Sequence, residues 1–278
     1  MIISHSRRFI FIKTFKTGGS SLEIALSKYC GKGDILTGLD PPEEALRRER
    51  YGIGAQNFER PWRSYGAFAL WRRATRGTLR RRFGEHQSAY RVRESVGEDI
   101  WNSYFTFTVV RHPFDRCVSR YFYSREREPD VQRESRWHTD RIGEFLRYNP
   151  DRIVENWRLY TECDEVIVDF VARYEHLEAD LAHVSERIGL PENLADDMAQ
   201  IRATGGMRPQ SATAETMLND RHRALISLLC AKEMELFGYD GERKPAAALG
   251  PDLGHSSARF SGRPMRSLTS ARSASRCS

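Results

Sequence analysis

The chain has 278 residues, of which 40% are hydrophobic and 29% charged, and this balance excludes a chain that is disordered throughout. Its 44 Lys and Arg outnumber its 38 Asp and Glu, giving a formal net charge of +6 that is mostly arginine. Because guanidinium groups bind phosphate, sulfate and carboxylate through paired hydrogen bonds, an anionic ligand is expected, although nucleic acid also fits the charge.

The first unit runs from strand to helix through the turn FKTGGSS, residues 15–21. The β-rich run Phe9–Lys13 predicts a strand, and apolar residues at helical spacing between Leu22 and Tyr29 predict a helix. Ser20 and Glu23 fit a capping box at the helix start. The turn therefore joins the carboxyl end of a strand to the amino end of a helix.

The composition of this turn indicates an anion site. Backbone N–H groups at a helix start attract anions, and Gly18 and Gly19 would allow a ligand to come close. Ser20 and Ser21 supply hydroxyls, and Lys16 adds a positive charge. In the nucleoside-triphosphatase P-loop, G-x-x-x-x-G-K-[ST], the lysine follows the glycines, whereas Lys16 precedes them. An ordinary turn with a solvated lysine is the alternative.

A basic insertion over the core is expected at about residues 55–84, where clean periodicity is absent. Its arginines and aromatics could hold an acidic saccharide, or the aromatics could pack a helix whose outer arginines are merely solvated. These residues are Arg60, Arg63, Arg72, Arg73, Arg76, Arg80, Arg81 and Arg82, with Trp62, Tyr65 and Trp71.

A second strand-to-helix unit follows. The β-branched and aromatic run Tyr104–Val110 predicts a strand that ends at Arg111, and HPFDRCVSRYFYSRERE then has helical period. Pro113 suits the first turn of that helix. Arg111 and Ser119 could face one anion if the chain reverses around Pro113, or Arg111 could instead pair with Asp115.

A third unit places strand material at residues 165–174 and an amphipathic helix at 175–190, and a last helix is expected at about 220–237. Repeated strand-to-helix units predict an α/β fold with a central parallel β-sheet flanked by helices, and binding residues at the carboxyl ends of the strands. We expect one domain over residues 1–243, followed by a disordered Arg/Ser-rich tail over 244–278.

The five cysteines are odd in number and contain no C-x-x-C pair, which is typical of free thiols in a reducing compartment. No apolar run is long enough for a signal peptide or a membrane span. A cytoplasmic protein without a membrane span is expected.

The stretches Lys16–Ser21 and Arg111–Ser119 together resemble two motifs of the sulfotransferases that use 3′-phosphoadenosine 5′-phosphosulfate (PAPS), especially the carbohydrate sulfotransferase-like branch. In that family a K-T-G-[GA]-[TS]-[ST] loop binds the 5′-phosphosulfate, and an R-[DNH]-P-x-x-R-x-x-S motif binds the 3′-phosphate. The resemblance extends over roughly residues 8–241, including FVARYEHLEADL and FGYD. It implies a fold like that of the P-loop nucleotide kinases, and an enzyme that sulfates a hydroxyl of a carbohydrate or glycolipid without a metal.

The resemblance also implies roles for individual residues. Lys16 would stabilise the phosphate oxygen that leaves, and Thr17, Gly18, Gly19, Ser20 and Ser21 would complete the phosphosulfate loop. Arg111 and Ser119 would hold the 3′-phosphate. His86, in GEHQSAYRVRE, would take the acceptor proton, with Glu85 as a weaker candidate for that role.

Two other readings of the residues stay open at this point. A P-loop-like kinase lacks the glycine-first loop order and a convincing acidic motif for magnesium. A non-enzymatic polyanion or nucleic-acid binder would account for the charge but not for two ordered anion loops.

Overall fold

The computed structural model describes residues 1–59, 82–127, 141–201 and 208–239. Most of the predicted basic insertion, residues 60–81, lies outside this part, as does the predicted tail over 244–278. Gly238 and Tyr239 of the FGYD stretch are described, and its aspartate is not.

A five-stranded sheet forms the centre of the fold, in the order β3-β1-β2-β4-β7. Its three parallel strands are β2 (Phe9–Ile12), β4 (Phe105–Val110) and β7 (Phe170–Arg173), with Phe11 opposite Phe107 and Phe107 opposite Phe170. The short strands β1 (Ile2–Ser4) and β3 (Ile35–Leu36) extend one edge, and β1 is antiparallel to both its neighbours. The predicted α/β fold with a parallel centre is confirmed, and the whole sheet is mixed.

A separate two-stranded hairpin and a set of helices complete the described chain. The hairpin pairs β5 (Thr161–Glu162) with β6 (Glu165–Val166). A 3-10 turn at Tyr174–His176 follows β7. The helices are α1 (Gly19–Ser27), α2 (Pro41–Tyr51), α3 (Ala89–Val96), α4 (Glu98–Ser103), α5 (Pro113–Arg127), α6 (Ile142–Tyr148), α7 (Pro150–Val154), α8 (Trp157–Tyr160), α9 (Leu177–Arg187), α10 (Leu194–Ala199), α11 (Ala214–Met217), α12 (Asp220–Leu229) and α13 (Ala231–Leu236).

The sheet separates two hydrophobic clusters, and the alternation of side chains along β2 shows why. Ile10 and Ile12 belong to one cluster, whereas Phe9 and Phe11 belong to the other, and all four are fully buried. Successive side chains of a strand point to opposite faces, so a strand covered on both sides is continuously apolar. Burial on both faces fixes the strand ends, and with them the turns that follow β2 and β4.

The predicted capping box at α1 is wrong. The N-cap residue is Gly18, and no side chain caps the helix. The hydroxyl of Ser20 instead accepts a hydrogen bond from the ammonium of Lys13 at 3.0 Å, and Glu23 is buried beside the same ammonium, with Oε2 at 2.8 Å. A buried lysine needs negative partners, and it takes both side chains that a capping box would use.

Two predicted elements are each divided. The strand expected over residues 165–174 is interrupted where the Asp169 carboxylate accepts from both the N–H and the hydroxyl of Thr106, each at 2.8 Å. The last helix, expected over about 220–237, is broken at Cys230, whose backbone leaves the helical region at ψ 22°. Local hydrogen bonding and backbone geometry end these elements earlier than hydrophobic periodicity suggests.

Candidate active site

The turn between β2 and α1 has two residues in the left-handed backbone region. Gly18 has φ 78° and Lys16 has φ 60°. Glycine tolerates this conformation, but a side-chain-bearing residue pays for it in steric energy. The side chain of Lys16 places its ammonium 4.1 Å from the ring centroid of Tyr123 on α5. The backbone of the turn is therefore strained at Lys16, the lysine that the sequence analysis assigned to the anion site.

The backbone conformation favours glycine at position 18, where φ is 78°, and the packing of Lys13 favours it at position 19. A Cβ at Gly18 would lie 2.7 Å from Met198 Cε, and one at Gly19 would lie 2.8 Å from Lys13 Cγ. Both distances are shorter than real Cβ contacts allow. The sequence assigned these glycines to close approach of a ligand, and the structure adds that neighbouring side chains already occupy the space.

The hydroxyl groups of this turn differ in their burial and in their hydrogen-bond partners. Thr17 is buried, and its hydroxyl oxygen lies 2.9 Å from that of Thr14, so it faces the protein interior. Ser20 accepts from Lys13, and Ser21 is half-buried in the first turn of α1. Because the first N–H groups of a helix have no partner within it, the backbone of Gly19, Ser20 and Ser21 is the feature best suited to an anion.

One pocket brings this turn together with His86. Lys16, Gly18, Gly19 and Ser20 line it, and Thr17 and Ser21 do not. The remaining walls carry both signs of charge, with Asp40 and Glu43 from the region of α2, Glu85 and His86 before α3, Arg120 and Tyr123 from α5, Arg152 from α7, and Lys13, Thr14 and Phe15 after β2.

His86 is held with one ring nitrogen fixed. Its ring stacks on Phe15 at a centroid distance of 3.7 Å, and Nδ1 lies 3.1 Å from the backbone oxygen of Lys13. A carbonyl oxygen can only accept, so Nδ1 carries the proton and Nε2 is left as the acceptor. Burial, followed by the charge of Lys13, lowers the pKa of His86 to about 3. The imidazole is therefore neutral at physiological pH, with Nε2 unprotonated.

Glu85, the weaker candidate base, is held by a cation. Its Oε1 contacts the ammonium of Lys13 and lies 3.9 Å from His86 Nε2. Its carboxylate is therefore already engaged in an ion pair within the protein. Glu85 is better placed to act on His86 than on a substrate.

Arg111 directly follows β4 and lies beside the glycine turn. Its Nη1 lies 3.4 Å from the backbone oxygen of Lys16, and its guanidinium carbon lies 4.4 Å from the ring centroid of Tyr174. Nε is buried without a hydrogen-bond partner among the described residues. The predicted alternative, pairing with Asp115, is not seen, because Asp115 pairs with Arg208 at 3.3 Å. Arg111 thus retains a buried donor that suits a phosphate oxygen.

Ser119 and Arg116 belong to the same stretch as Arg111 but lie in different surroundings. Ser119 is half-buried on α5, with no hydrogen bond from its side chain within the described part of the chain. Arg116 is 3% exposed and donates from both Nη1 and Nη2 to the Glu233 carboxylate, at 2.8 and 2.6 Å. The structure brings Lys16, Arg111 and His86 near one turn and places Arg116 in the core.

Several pocket residues were not singled out by the sequence. Lys13 directly follows β2, and its place at the carboxyl end of a parallel strand was a usable signal. Arg120 and Tyr123 are three residues apart on α5, a spacing that puts them on one face. Asp40 and Glu43 lie in a stretch without clean periodicity, and nothing in the sequence indicated them.

Comparison with known proteins identifies the family of the chain. A family model described as "Sulfotransferase family" matches residues 1–240. The chain belongs to the sulfotransferase family. Membership implies sulfuryl transfer with PAPS as the donor, as the two anion motifs predicted.

Individual relatives are distant. This sulfotransferase is 35% identical over 109 residues to an uncharacterized protein of Archaeoglobus fulgidus, a match that covers 38% of this chain and 85% of the relative. It is 30% identical over 116 residues to carbohydrate sulfotransferase 14 of Danio rerio, covering 33% of this chain and 32% of that protein. The chain therefore spans about a third of the length of the named relative. No solved structure matches the chain significantly.

The residues present fit a donor with two anionic groups. The first turn of α1 and the ammonium of Lys16 suit the phosphosulfate, and the buried Nε of Arg111, next to the same turn, suits a second phosphate. Among the described residues, no group of three His, Cys, Asp or Glu side chains could hold a metal ion. In the same part of the chain, no helix is long and apolar enough to cross a bilayer.

Proposed function

We propose that this sulfotransferase moves the sulfuryl group of PAPS to a hydroxyl of a carbohydrate or glycolipid acceptor. The observation that carries the proposal is that Lys16 and His86 line one pocket, with Nε2 of His86 available as a proton acceptor. The donor supplies an activated sulfuryl group, and the residues of the chain provide the charge and the base that transfer needs.

Lys16 is assigned to the leaving phosphate oxygen. Negative charge builds on that oxygen as its bond to sulfur breaks, and a fixed cation there stabilises the transition state more than the ground state. The left-handed backbone of Lys16 supports this role, because residues in strained backbone conformations are concentrated at active sites and ligand-binding loops. Lys16→Ala should lower kcat by about 100-fold to 1000-fold.

His86 is assigned as the base. The acceptor hydroxyl gives its proton to Nε2 while its oxygen forms the new bond to sulfur and the bond between sulfur and the phosphate oxygen breaks. His86→Asn is the sharpest test, since the Asn amide can still donate to the Lys13 carbonyl but offers nothing at the position of Nε2. Loss of a general base should lower kcat by about 100-fold or more.

Arg111 and Ser119 are assigned to the 3′-phosphate, which takes no part in the chemistry but fixes the donor. Removing a charged hydrogen-bonding partner costs about 1.5 to 3 kcal/mol. Arg111→Ala should therefore weaken donor binding by about 10-fold to 100-fold, and Ser119→Ala should weaken it less.

A carbohydrate or glycolipid acceptor is supported by the partial similarity to carbohydrate sulfotransferase 14 of Danio rerio. The pocket offers the carboxylate of Asp40 as a group that can accept hydrogen bonds from acceptor hydroxyls. A panel of glycans and glycolipids incubated with labelled PAPS would identify the acceptor, and labelling of none but peptides or phenols would contradict this assignment.

A metal-free thermal-shift titration tests the donor site. Adenosine 3′,5′-bisphosphate should raise Tm strongly and ATP hardly at all, because only the former carries a 3′-phosphate for Arg111. The exposed residues Arg158 and His176 provide matched controls, and Arg158→Ala and His176→Ala should bind and turn over as the unmodified protein does. A preference for ATP with magnesium, or a response to nucleic acid alone, would overturn the proposal.

A further inference from the structure

Lys13 is a buried lysine whose ammonium is fully occupied by the protein. Its side chain is 3% exposed, and its Nζ contacts Glu23 Oε2 at 2.8 Å, Ser20 Oγ at 3.0 Å and Glu85 Oε1. Ser20 and Glu85 each accept a hydrogen bond from this ammonium, and Glu23 forms an ion pair with it. Lys13 lines the same pocket as Lys16, but its charge is already balanced by two carboxylates of the protein.

The same residue also contacts His86 through its backbone. The carbonyl oxygen of Lys13 lies 3.1 Å from His86 Nδ1, and the Glu85 oxygen that Lys13 holds lies 3.9 Å from His86 Nε2. One residue thus touches the imidazole on one side and the carboxylate nearest its reactive nitrogen on the other. This places Lys13 between the glycine turn and the base.

We propose that Lys13 is a positioning residue, which holds the Glu85 carboxylate beside Nε2 of His86 and thereby sets how strongly that nitrogen takes a proton. The proposal rests on the proposed function, in which Nε2 accepts the acceptor proton. When that proton arrives, the imidazole becomes a cation 3.9 Å from Glu85 Oε1. The carboxylate then balances the new charge, and Lys13 keeps the carboxylate from swinging into solvent.

The charges around His86 determine the sign of the expected effect. Burial and the charges of Lys13 and the Met1 amino group lower the pKa of His86, while the bond to the Lys13 carbonyl and the charge of Glu23 raise it. Burial would lower the pKa of Lys13 itself, but Glu23 and Glu85 outweigh it, so Lys13 stays a cation. After burial, the charge of Lys13 is the main cause that lowers the pKa of His86, so removing it should raise the proton affinity of His86 even though the hold on Glu85 is lost.

The test is Lys13→Met, which keeps the length of the side chain and removes its charge. Histidine ¹⁵N spectra of the donor-free protein, with the His86 signal assigned by His86→Asn, report the tautomer and the titration directly. In the unmodified protein His86 should stay neutral from pH 8 to pH 5, protonated at Nδ1. In Lys13→Met it should titrate at a pH higher by about one unit or more. Lys28→Met, at a partly exposed lysine that bridges Glu192 and Asp197, is the matched control.

Kinetics provide the second readout. Lys13→Met should lower kcat by about 10-fold to 100-fold, as expected for a displaced catalytic group, while the affinity for adenosine 3′,5′-bisphosphate changes by less than about threefold. Glu85→Gln should also lower kcat, and the double variant should be no slower than the slower single one, since both act on one contact. If Lys13→Met does not fold, Lys13→Met with Glu23→Gln removes the buried negative charge and allows the same measurements.

An unchanged His86 titration together with an unchanged kcat would overturn the proposal. So would a tenfold loss of adenosine 3′,5′-bisphosphate affinity with unchanged His86 titration, because Lys13 would then be a donor-binding residue. The proposed function fails separately, if the bisphosphate does not stabilise the unmodified protein. The NMR titration needs neither donor nor activity, so the two failures are distinguishable.

Discussion

Arg116→Met tests whether the arginines of the stretch Arg111–Ser119 have different functions. Arg116 is 3% exposed and forms two hydrogen bonds to the carboxylate of Glu233, itself 3% exposed. The same guanidinium donates to the backbone oxygen of Ile153, and Tyr160 donates to Glu233 Oε1 at 2.9 Å. Arg116 therefore joins α5 to α7 and α13 and does not face the pocket.

Removing Arg116 alone should leave a buried, unbalanced carboxylate. Breaking a buried ion pair by removal of one partner costs about 3 to 5 kcal/mol, a large fraction of the roughly 5 to 15 kcal/mol by which a domain is stable. For a chain of this size that loss corresponds to a Tm lower by about 6 to 20 °C. Arg116→Met with Glu233→Gln should recover much of it, because the Gln amide oxygen can still accept from Tyr160.

Thermal denaturation of the two single variants and the double variant gives the coupling energy of the pair. The folded double variant is then titrated with adenosine 3′,5′-bisphosphate beside Arg111→Ala. It should bind within about threefold of the unmodified protein, whereas Arg111→Ala should bind at least about tenfold more weakly. A double variant that keeps its Tm but loses the bisphosphate would refute the reasoning and place Arg116 at the phosphate.

Three further predictions concern stability and reactivity. Gly18→Ala should cost about 1 to 3 kcal/mol in urea denaturation, because φ is 78° and a Cβ would lie 2.7 Å from its nearest neighbour, whereas Gly33→Ala, with open space around it, should cost little. Burial would raise the pKa of Glu23, but two neighbouring ammonium groups outweigh it and lower that pKa to about 2. Stability from Glu23 is thus fully present above its unfolded pKa of about 4.5, is lost as pH falls toward 2, and amounts to about 3 kcal/mol, so the urea midpoint should fall more steeply below pH 5 than in Glu23→Gln. Burial raises the pKa of the thiols of Cys117 and Cys230, so peptide mapping after iodoacetamide at pH 8 should find both unlabelled unless urea unfolds the chain, and rapid labelling of the native protein would contradict this burial.

The parallel centre of the sheet could be predicted because its strands have strong local signals. Phe9–Ile12 and Phe105–Val110 are continuous β-rich runs, each followed by a turn and a helical period. The edge strands Ile2–Ser4 and Ile35–Leu36 were missed, since three and two residues are too short to show a period. β1 pairs with β2, and β3 pairs with β1, through contacts that only the folded chain provides.

Site residues could be predicted from the sequence where they follow a strand, and not where they come together only through distant contacts. Lys16 and Arg111 follow strands, so the carboxyl edge of the sheet brings them to one turn. The partners of Lys13 come from residues 10 and 72 positions away in the chain, and no local pattern connects Lys13 with Glu23 and Glu85. Ser20 and Glu23 have the sequence spacing of a capping box, but both side chains contact the buried ammonium of Lys13 instead.

The basic residues near the two turns differ in the protein groups that surround their charged ends. Lys13 and Lys16 are three residues apart, yet the ammonium of Lys13 is surrounded by protein oxygens while that of Lys16 lies against the ring of Tyr123. Arg111 and Arg116 differ in the same way, since Glu233 takes both terminal nitrogens of Arg116 and Nε of Arg111 has no partner among the described residues. A cation already neutralised by a buried carboxylate gains little from an added anion. Lys13 and Arg116 therefore stabilise the scaffold, whereas Lys16 and Arg111 are the basic residues suited to the donor.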